Sequence, residues 1–230
     1  LYRPTNLFSY TNPDFPFINT HWLFEVVAYG FNQTVGIQML LVLKVIIILL
    51  SVWLILKTIP KHNQALLLPI GFIFLHVLRE RLELRPEIFS FIFTALTLYI
   101  LEDFIVRAKS RTYFKNIYLL PLIQLVWINT HIYFFVGLML QGIYIFSIGY
   151  QYLRFHLEGG KLKLLGIIFL LSVFVSLLNP NGIQGVLYPL NVTKNYGYTI
   201  VENQTMFLLE SIRFRDPNFL FVKLSAGIIV

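Results

Sequence analysis

Long apolar runs are the feature that most restricts how this chain can fold. The run LLVLKVIIILLSVWLIL covers residues 40–56 and contains one charged residue, Lys44. A helix needs about 20 apolar residues to cross a bilayer, and only helices and closed barrels satisfy their backbone polar groups there. A barrel would require strict alternation of apolar and polar residues, which these runs lack. Charged residues make up only 13% of the chain, against roughly 25% in a soluble domain. We therefore predict an all-α, polytopic helical membrane protein.

The apolar runs divide the chain into about seven membrane segments within a single transmembrane domain, residues 1–230. The segments are Thr34–Lys57, Ala65–Leu78, Pro86–Val106, Asn116–Trp127, Ile132–Leu153, Leu164–Leu178 and one that begins near Asn218. Residues 1–33 are predicted to form an outer loop with a short amphipathic helix, and residues 179–217 a long outer loop. The sequence reads as a fragment, with a first span and half of the first outer loop upstream and further spans downstream.

The distribution of basic residues predicts which side of the membrane each loop faces. Nine of the 18 Lys and Arg residues lie in three short loops, and seven are spread over longer segments on the other side. The positive-inside rule makes the first side cytoplasmic. The net charge of +7 is therefore interpreted as a topology signal, and no nucleic-acid partner is expected. The prediction is a multi-pass protein of a cell membrane, the bacterial plasma membrane, with its polar site facing outside.

The tetrapeptide INTH occurs twice on the predicted outer side, and its first copy ends at His21. A helix that starts near Thr20 places His21 and Glu25 on one face, with Asn19 or Thr20 as its N-cap. Residues four apart in a helix can share a proton, bind a divalent metal or polarise a hydroxyl. The alternative is a solvated interfacial helix in which this histidine and this glutamate merely pair.

The segment RERLELRPE, residues 79–87, places six charges between two apolar runs. The preceding run, Ala65–Leu78, is short, so this segment is predicted to be recessed and to line a wet cavity. Arg79, Arg81 and Arg85 would present forked donors to phosphate, and Pro86 would be the first residue of the next helix. The alternative is a surface loop with alternating salt pairs.

The second INTH copy contains Asn129 and His131, at a hairpin between two apolar runs. The run before it is again short, which predicts that its polar residues meet the first copy and the arginine-rich segment at one depth. A simple capping turn is the alternative. The flanking residues of the two copies do not match, so we do not interpret them as an internal repeat. The segment NPNG, Asn179–Gly182, is predicted only to end a helix.

The order of these segments resembles that of bacterial multi-span glycosyltransferases of the GT-C superfamily. The likeness rests on FSYTNPDFPFINTHWLFEV, RPEIFSFIFTALTLYIL, LIQLVWINTHIYFFVGLML and LLNPNG. It implies sugar transfer from a polyprenyl-phosphate carrier to a glycan, lipid or protein acceptor on the extracytoplasmic face. It further implies catalytic roles for Glu25, Asp14 and His21 and substrate-binding roles for the other candidates, namely Arg79, Arg81, Arg85, Asn129 and His131. A divalent cation, Mg²⁺ or Mn²⁺, is a candidate cofactor whose ligands the resemblance leaves open.

The paired acidic motif of that superfamily does not occur in this sequence, which contains neither D-x-D nor D-x-E. The resemblance places the motif upstream of Leu1. Two other functions therefore stay open. One is a non-catalytic membrane subunit of an envelope-assembly complex. The other is a lipid or solute transporter, which the concentration of polar residues at one side disfavours, since transporters bind near the bilayer midplane.

Overall fold

The computed structural model describes residues 11, 18–60, 71–73, 85–107, 115–155, 159–191, 205–214 and 216–229. This described part of the chain is helical, with no strand. The helices are α1 Trp22–Thr34, α2 Met39–Thr58, α3 Glu87–Glu102, α4 Leu119–Thr130, α5 Phe135–Phe155, α6 Gly160–Ser176, α7 Gly182–Asn191, α8 Met206–Ser211 and α9 Asn218–Ile229. A π-helical turn, Asp103–Arg107, continues α3, and a 3₁₀ turn, Ile132–Phe134, precedes α5.

Among the described residues, three helices are long and apolar enough to cross a membrane. They are Met39–Thr58, Glu87–Ile105 and Ile132–Arg154, of 20, 19 and 23 residues. Each corresponds to one of the full-length segments that the sequence predicts. The seven predicted segments are not confirmed: α4 has 12 residues, about 18 Å of helix, and most of Ala65–Leu78 falls where the structure gives no description.

Several helix boundaries differ from the prediction. Helix α1 begins at Trp22 and has His21 at its N-cap position, where no side chain caps the helix. Asn19 and Thr20 are therefore not the N-cap. The segment expected from Thr34 begins at Met39, because the chain turns at Gly36, whose φ of +90° suits glycine. Pro86 occupies the N-cap position of α3 and is not its first residue. The predicted loop 179–217 contains α7 and α8.

The chain forms two compact units, Leu1–Thr58 with Leu84–Val192, and Ile59–Glu83 with Thr193–Val230. In the first unit, one hydrophobic core joins α2 to α3 through Ile47, Leu54, Ile88, Ile92 and Ala95. A second core packs α3, α4 and α6 against one another. Helix α6 contributes Leu165, Ile168, Ser172 and Ser176, which are all buried. Their spacing of three and four residues places them on one face.

Contacts between the helices show that the INTH copies and Lys161 lie at opposite ends of the first unit. Near the start of α3, Ser90 lies 2.8 Å from His131. Beyond its end, the Ile105 carbonyl accepts a hydrogen bond from Lys161 at the start of α6. Helices α4 and α6 therefore lead towards His131, and α3 and α5 lead away from it. The side of a membrane that either end would face stays a prediction.

A close approach of α4 and α5 supports the end of the unit that carries His131. The buried Gln124 side chain donates to the Phe134 carbonyl and to Ser176 Oγ. A Cβ atom at Gly137 would lie 2.7 Å from Gln124 Oε1 and 2.9 Å from the Trp127 ring. Only glycine fits there. Because it has no side chain, Trp127 packs behind His131 and is fully buried.

Candidate functional site

The first INTH copy forms a compact polar turn before α1. Asn19 Oδ1 accepts a hydrogen bond from the His21 backbone N–H at 2.9 Å, and Asn19 Nδ2 donates to Glu25 Oε2 at 2.8 Å. His21 Nδ1 lies 3.1 Å from Thr20 Oγ1. The exposed Glu25 carboxylate is therefore held by Asn19. The predicted pairing of His21 with Glu25 is not the hydrogen bond that forms.

The second INTH copy ends α4 and redirects the chain. The Thr130 hydroxyl donates to the Val126 carbonyl, and Asn129 Nδ2 donates to the Leu125 carbonyl. His131 then leaves the helix with extended backbone angles, φ −157° and ψ 146°. Because the backbone turns at this residue, its ring packs inside the unit, where only 4% of the residue is exposed.

The two copies contact each other, as the sequence predicts. The Trp22 indole N–H donates to Asn129 Oδ1 at 2.8 Å, across 107 residues of sequence. The imidazole rings of His21 and His131 lie 5.2 Å apart between centroids. One end of the first unit thus combines two imidazoles with the Glu25 carboxylate, which we call the histidine cluster.

The NPNG turn forms a third side of the histidine cluster, so the prediction that it only ends a helix is wrong. Asn181 Nδ2 donates to the Asn19 carbonyl at 3.2 Å, and the Leu178 carbonyl accepts from Asn129 Nδ2 at 3.1 Å. Asn179 organises the turn by donating to the Ser176 and Gly182 carbonyls. The signal in the sequence was the pair of asparagines, whose side chains can bond beyond the turn as well as within it.

Ser90 and Trp127 form a hydrogen-bonded chain that leads to His131, and neither was among the site residues predicted from the sequence. The Trp127 indole can only donate, so Ser90 Oγ accepts from it at 2.9 Å. The Tyr133 backbone N–H, which can only donate, is directed at His131 Nδ1 at 3.5 Å, so this nitrogen is an acceptor and also accepts from the Ser90 hydroxyl 2.8 Å away. This order places the His131 ring proton on Nε2, which has no hydrogen-bond partner among the described residues. His131 therefore presents an N–H donor. In the sequence, Trp127 beside the second INTH copy was the only indication of this arrangement.

Burial keeps both histidines of the cluster neutral at pH 7. Burial, with a smaller contribution from the charge of a protonated His21, lowers the pKa of His131 to about 3. Burial also lowers the pKa of His21, an effect that the Glu25 carboxylate opposes. Two neutral imidazoles at close range can donate or accept hydrogen bonds without the cost of a buried charge.

The neutral state of His131 predicts a loss of stability in mild acid. Its folded pKa lies below the unfolded value of about 6.5, so the unfolded chain binds a proton first as the pH falls. The stability that neutral His131 contributes is fully present above pH 6.5 and is lost progressively as the pH falls towards 3. Between pH 7 and pH 5 we expect His131 alone to lower the free energy of unfolding by about 2 kcal/mol.

Denaturant unfolding in detergent micelles at pH 7, 6 and 5 measures this effect. His131→Gln serves as the matched variant, because its amide does not titrate while all other ionisable groups are unchanged. We expect a shallower pH dependence in the variant. Equal slopes in the two proteins would show that His131 is not held neutral.

Of the remaining candidate residues, one is exposed and the others lie outside the described residues. Arg85 is exposed, at the bend before Pro86. Asp14, Arg79 and Arg81 lie outside the described residues, so whether they approach the histidine cluster stays a prediction. Within the described ranges no group of three or more His, Asp or Glu residues is arranged to hold a metal ion. The described residues alone therefore do not form a Mg²⁺ or Mn²⁺ site, and a divalent cation stays a prediction.

No protein-family model, no curated protein and no solved structure matches this chain.

Proposed function

We propose that this chain is a membrane glycosyltransferase that moves a sugar from a polyprenyl-phosphate carrier to an acceptor on the extracytoplasmic face. The observation that carries the proposal is the histidine cluster, which unites Glu25, His21 and His131 from segments about a hundred residues apart. A cluster of this kind at one end of an apolar helical unit suits a reaction between a lipid-linked donor and a water-exposed acceptor. A bacterial plasma membrane and an outward-facing site belong to the same proposal.

The chemistry assigned to the cluster is substitution at an anomeric carbon. The acceptor hydroxyl oxygen bonds to that carbon, the bond from the carbon to the carrier phosphate breaks, and the hydroxyl proton passes to the Glu25 carboxylate. The departing phosphate gains negative charge, which the His131 Nε2–H would stabilise as a donor that needs no reorganisation. Arg79, Arg81 and Arg85 are the further proposed phosphate ligands.

Sugar transfer in membrane vesicles tests the proposal. We expect His131→Ala and His21→Ala each to lower the initial rate about tenfold or more with a responsive donor from a panel of polyprenyl-phosphate-linked sugars. Lys163→Gln, which changes an exposed residue of α6 at the opposite end of the unit, should leave the rate unchanged. Equal membrane insertion of all variants is verified first. Wild-type rates in both histidine variants would contradict the proposed site.

Two specific observations support the alternative functions. Asn129 uses both amide hydrogens and its oxygen within the protein, which suits a non-catalytic subunit of an envelope-assembly complex whose cluster only holds segments together. The side-chain oxygens Gln141 Oε1 on α5 and Ser172 Oγ on α6 are buried and have no hydrogen-bond partner in the described part of the chain. Buried polar atoms of this kind suit a lipid or solute transporter. Transfer activity that persists in the complex after this chain is lost would favour the non-catalytic subunit. Flux of a solute or lipid into proteoliposomes that contain this chain would favour the transporter.

A further inference from the structure

A groove of about 660 Å³ lies in the second unit, where α8 ends and α9 begins. Its lining includes Phe214, Phe219 and Leu220, together with the charged residues Arg213, Asp216, Glu210 and Lys223. The rings of Phe214 and Phe219 lie 6.3 Å apart, and Leu220 is 60% exposed. The groove thus combines an exposed apolar floor with four charges.

Arg213 occupies a backbone position that normally belongs to glycine. Helix α8 ends in a Schellman motif, in which the Phe214 N–H bonds to the Leu209 carbonyl and the Arg213 N–H to the Glu210 carbonyl. Arg213 has φ 64°, in the left-handed region that side chains with a Cβ disfavour. The helix end would form more easily with glycine here, so the backbone does not account for an arginine.

Two of the four charges neutralise each other and two do not. Lys223 Nζ donates to both oxygens of Glu210, at 2.7 and 2.8 Å. Arg213 and Asp216 form no ion pair with each other or with another described residue. Asp216 Oδ1 accepts the Asn218 backbone N–H at 2.8 Å, a bond that leaves the carboxylate charged. One cation and one anion without an ion-pair partner among the described residues therefore stand three residues apart in the same groove.

We propose that this groove binds the headgroup of a zwitterionic phospholipid. Arg213 contacts the phosphate, Asp216 contacts the headgroup ammonium, and an acyl chain lies along Phe214, Phe219 and Leu220. The carboxylate disfavours a purely anionic headgroup, because the like charges would repel each other at short range. The exposed apolar floor favours a ligand with a hydrocarbon tail over a free headgroup. The proposal does not depend on the proposed transferase activity.

Thermal-shift titration of the purified full chain in detergent tests this inference. The ligands are a short-chain phosphatidylethanolamine, phosphatidylglycerol with the same chains, phosphoethanolamine without chains, and inorganic phosphate. We expect the ethanolamine lipid to bind roughly tenfold more tightly than the glycerol lipid, because one charge-assisted contact discriminates between them. The two ligands without chains should produce no shift at the same concentrations.

Two variants remove one charge each while they keep the local backbone. Arg213→Gly removes the guanidinium and suits the left-handed φ, and Asp216→Asn retains an oxygen that can accept the Asn218 N–H. Each should weaken binding of the ethanolamine lipid roughly tenfold. Lys163→Gln, in the first unit, should bind it like the wild type. Circular dichroism of all three variants checks that they retain their helices.

Three results would overturn the inference. Equal affinity for the two lipids together with wild-type binding by Asp216→Asn would reduce the groove to a simple anion site. Phosphoethanolamine that binds as tightly as the lipid would exclude a role for the acyl chain. Wild-type lipid binding by both charge variants would place the lipid elsewhere on the protein.

Discussion

Replacement of Glu25 by Gln is expected to lower the turnover number for sugar transfer by about a hundredfold or more. Glutamine keeps the length of the side chain and an oxygen that can accept the hydrogen bond from Asn19 Nδ2. It cannot take up the proton of an attacking hydroxyl. The proposed base is thus removed while the turn before α1 is retained, and the Michaelis constant should change little because the same groups remain to bind substrate.

The measurement is the initial rate of transfer in vesicles as a function of acceptor concentration, with equal amounts of each inserted protein. Asn19→Ala is the matched control, since it releases the Glu25 carboxylate without removing it and should cost only a few-fold in rate. A Glu25→Gln variant with the wild-type turnover number would show that another group is the base. An equal loss in both variants would assign Glu25 a purely structural role.

Replacement of Asn129 by Ala is expected to cause the largest loss of stability of any single change at the end of the first unit that carries the histidine cluster, about 3 kcal/mol. The amide joins three segments: it accepts from the Trp22 indole and donates to the Leu125 and Leu178 carbonyls. Asn129 is only 6% exposed, so water cannot easily replace the lost partners. The free energy of unfolding in detergent micelles measures the loss.

A double-mutant cycle with Trp22→Phe separates the contribution of one of these bonds. Trp22→Phe removes the indole donor but keeps an aromatic ring, so it should cost less than Asn129→Ala. The two changes together should cost less than the sum, because the bond between them is lost only once. Strict additivity would contradict the bond between Trp22 and Asn129, and an unchanged stability of Asn129→Ala would contradict its role as a clamp.

Hydrophobicity and length were sufficient to predict the helical class and the three long apolar helices. These properties are local, since a run such as residues 40–56 excludes strands and soluble surfaces by its own composition. Helix ends were predicted less well. Asn19 looked like an N-cap, but its side chain serves Glu25 and the His21 backbone, and a capping preference does not say which of several nearby donors a side chain will choose.

The sequence predicted the segments that form the candidate site but only some of the contacts between them. Short apolar runs before polar junctions indicated that the two INTH copies would lie at one depth, and the contact between His21 and His131 agrees with that. The NPNG turn was expected to break a helix and nothing more. The turn joins the histidine cluster through hydrogen bonds between residues as many as 162 positions apart in sequence, and no local pattern contains such information.

The sequence by itself determined the helical class, the three long apolar helices found among the described residues, and the polar junctions that interrupt the apolar runs, while its total of seven segments is not confirmed. Only the tertiary structure decided how those junctions work. Ser90 and the Tyr133 backbone determine which ring nitrogen of His131 carries the proton, and Asn129 bonds to Trp22 and to two carbonyls. Apolar burial depends on each residue's own chemistry, whereas the direction of a hydrogen bond depends on which partners the packing of distant helices brings within 3 Å.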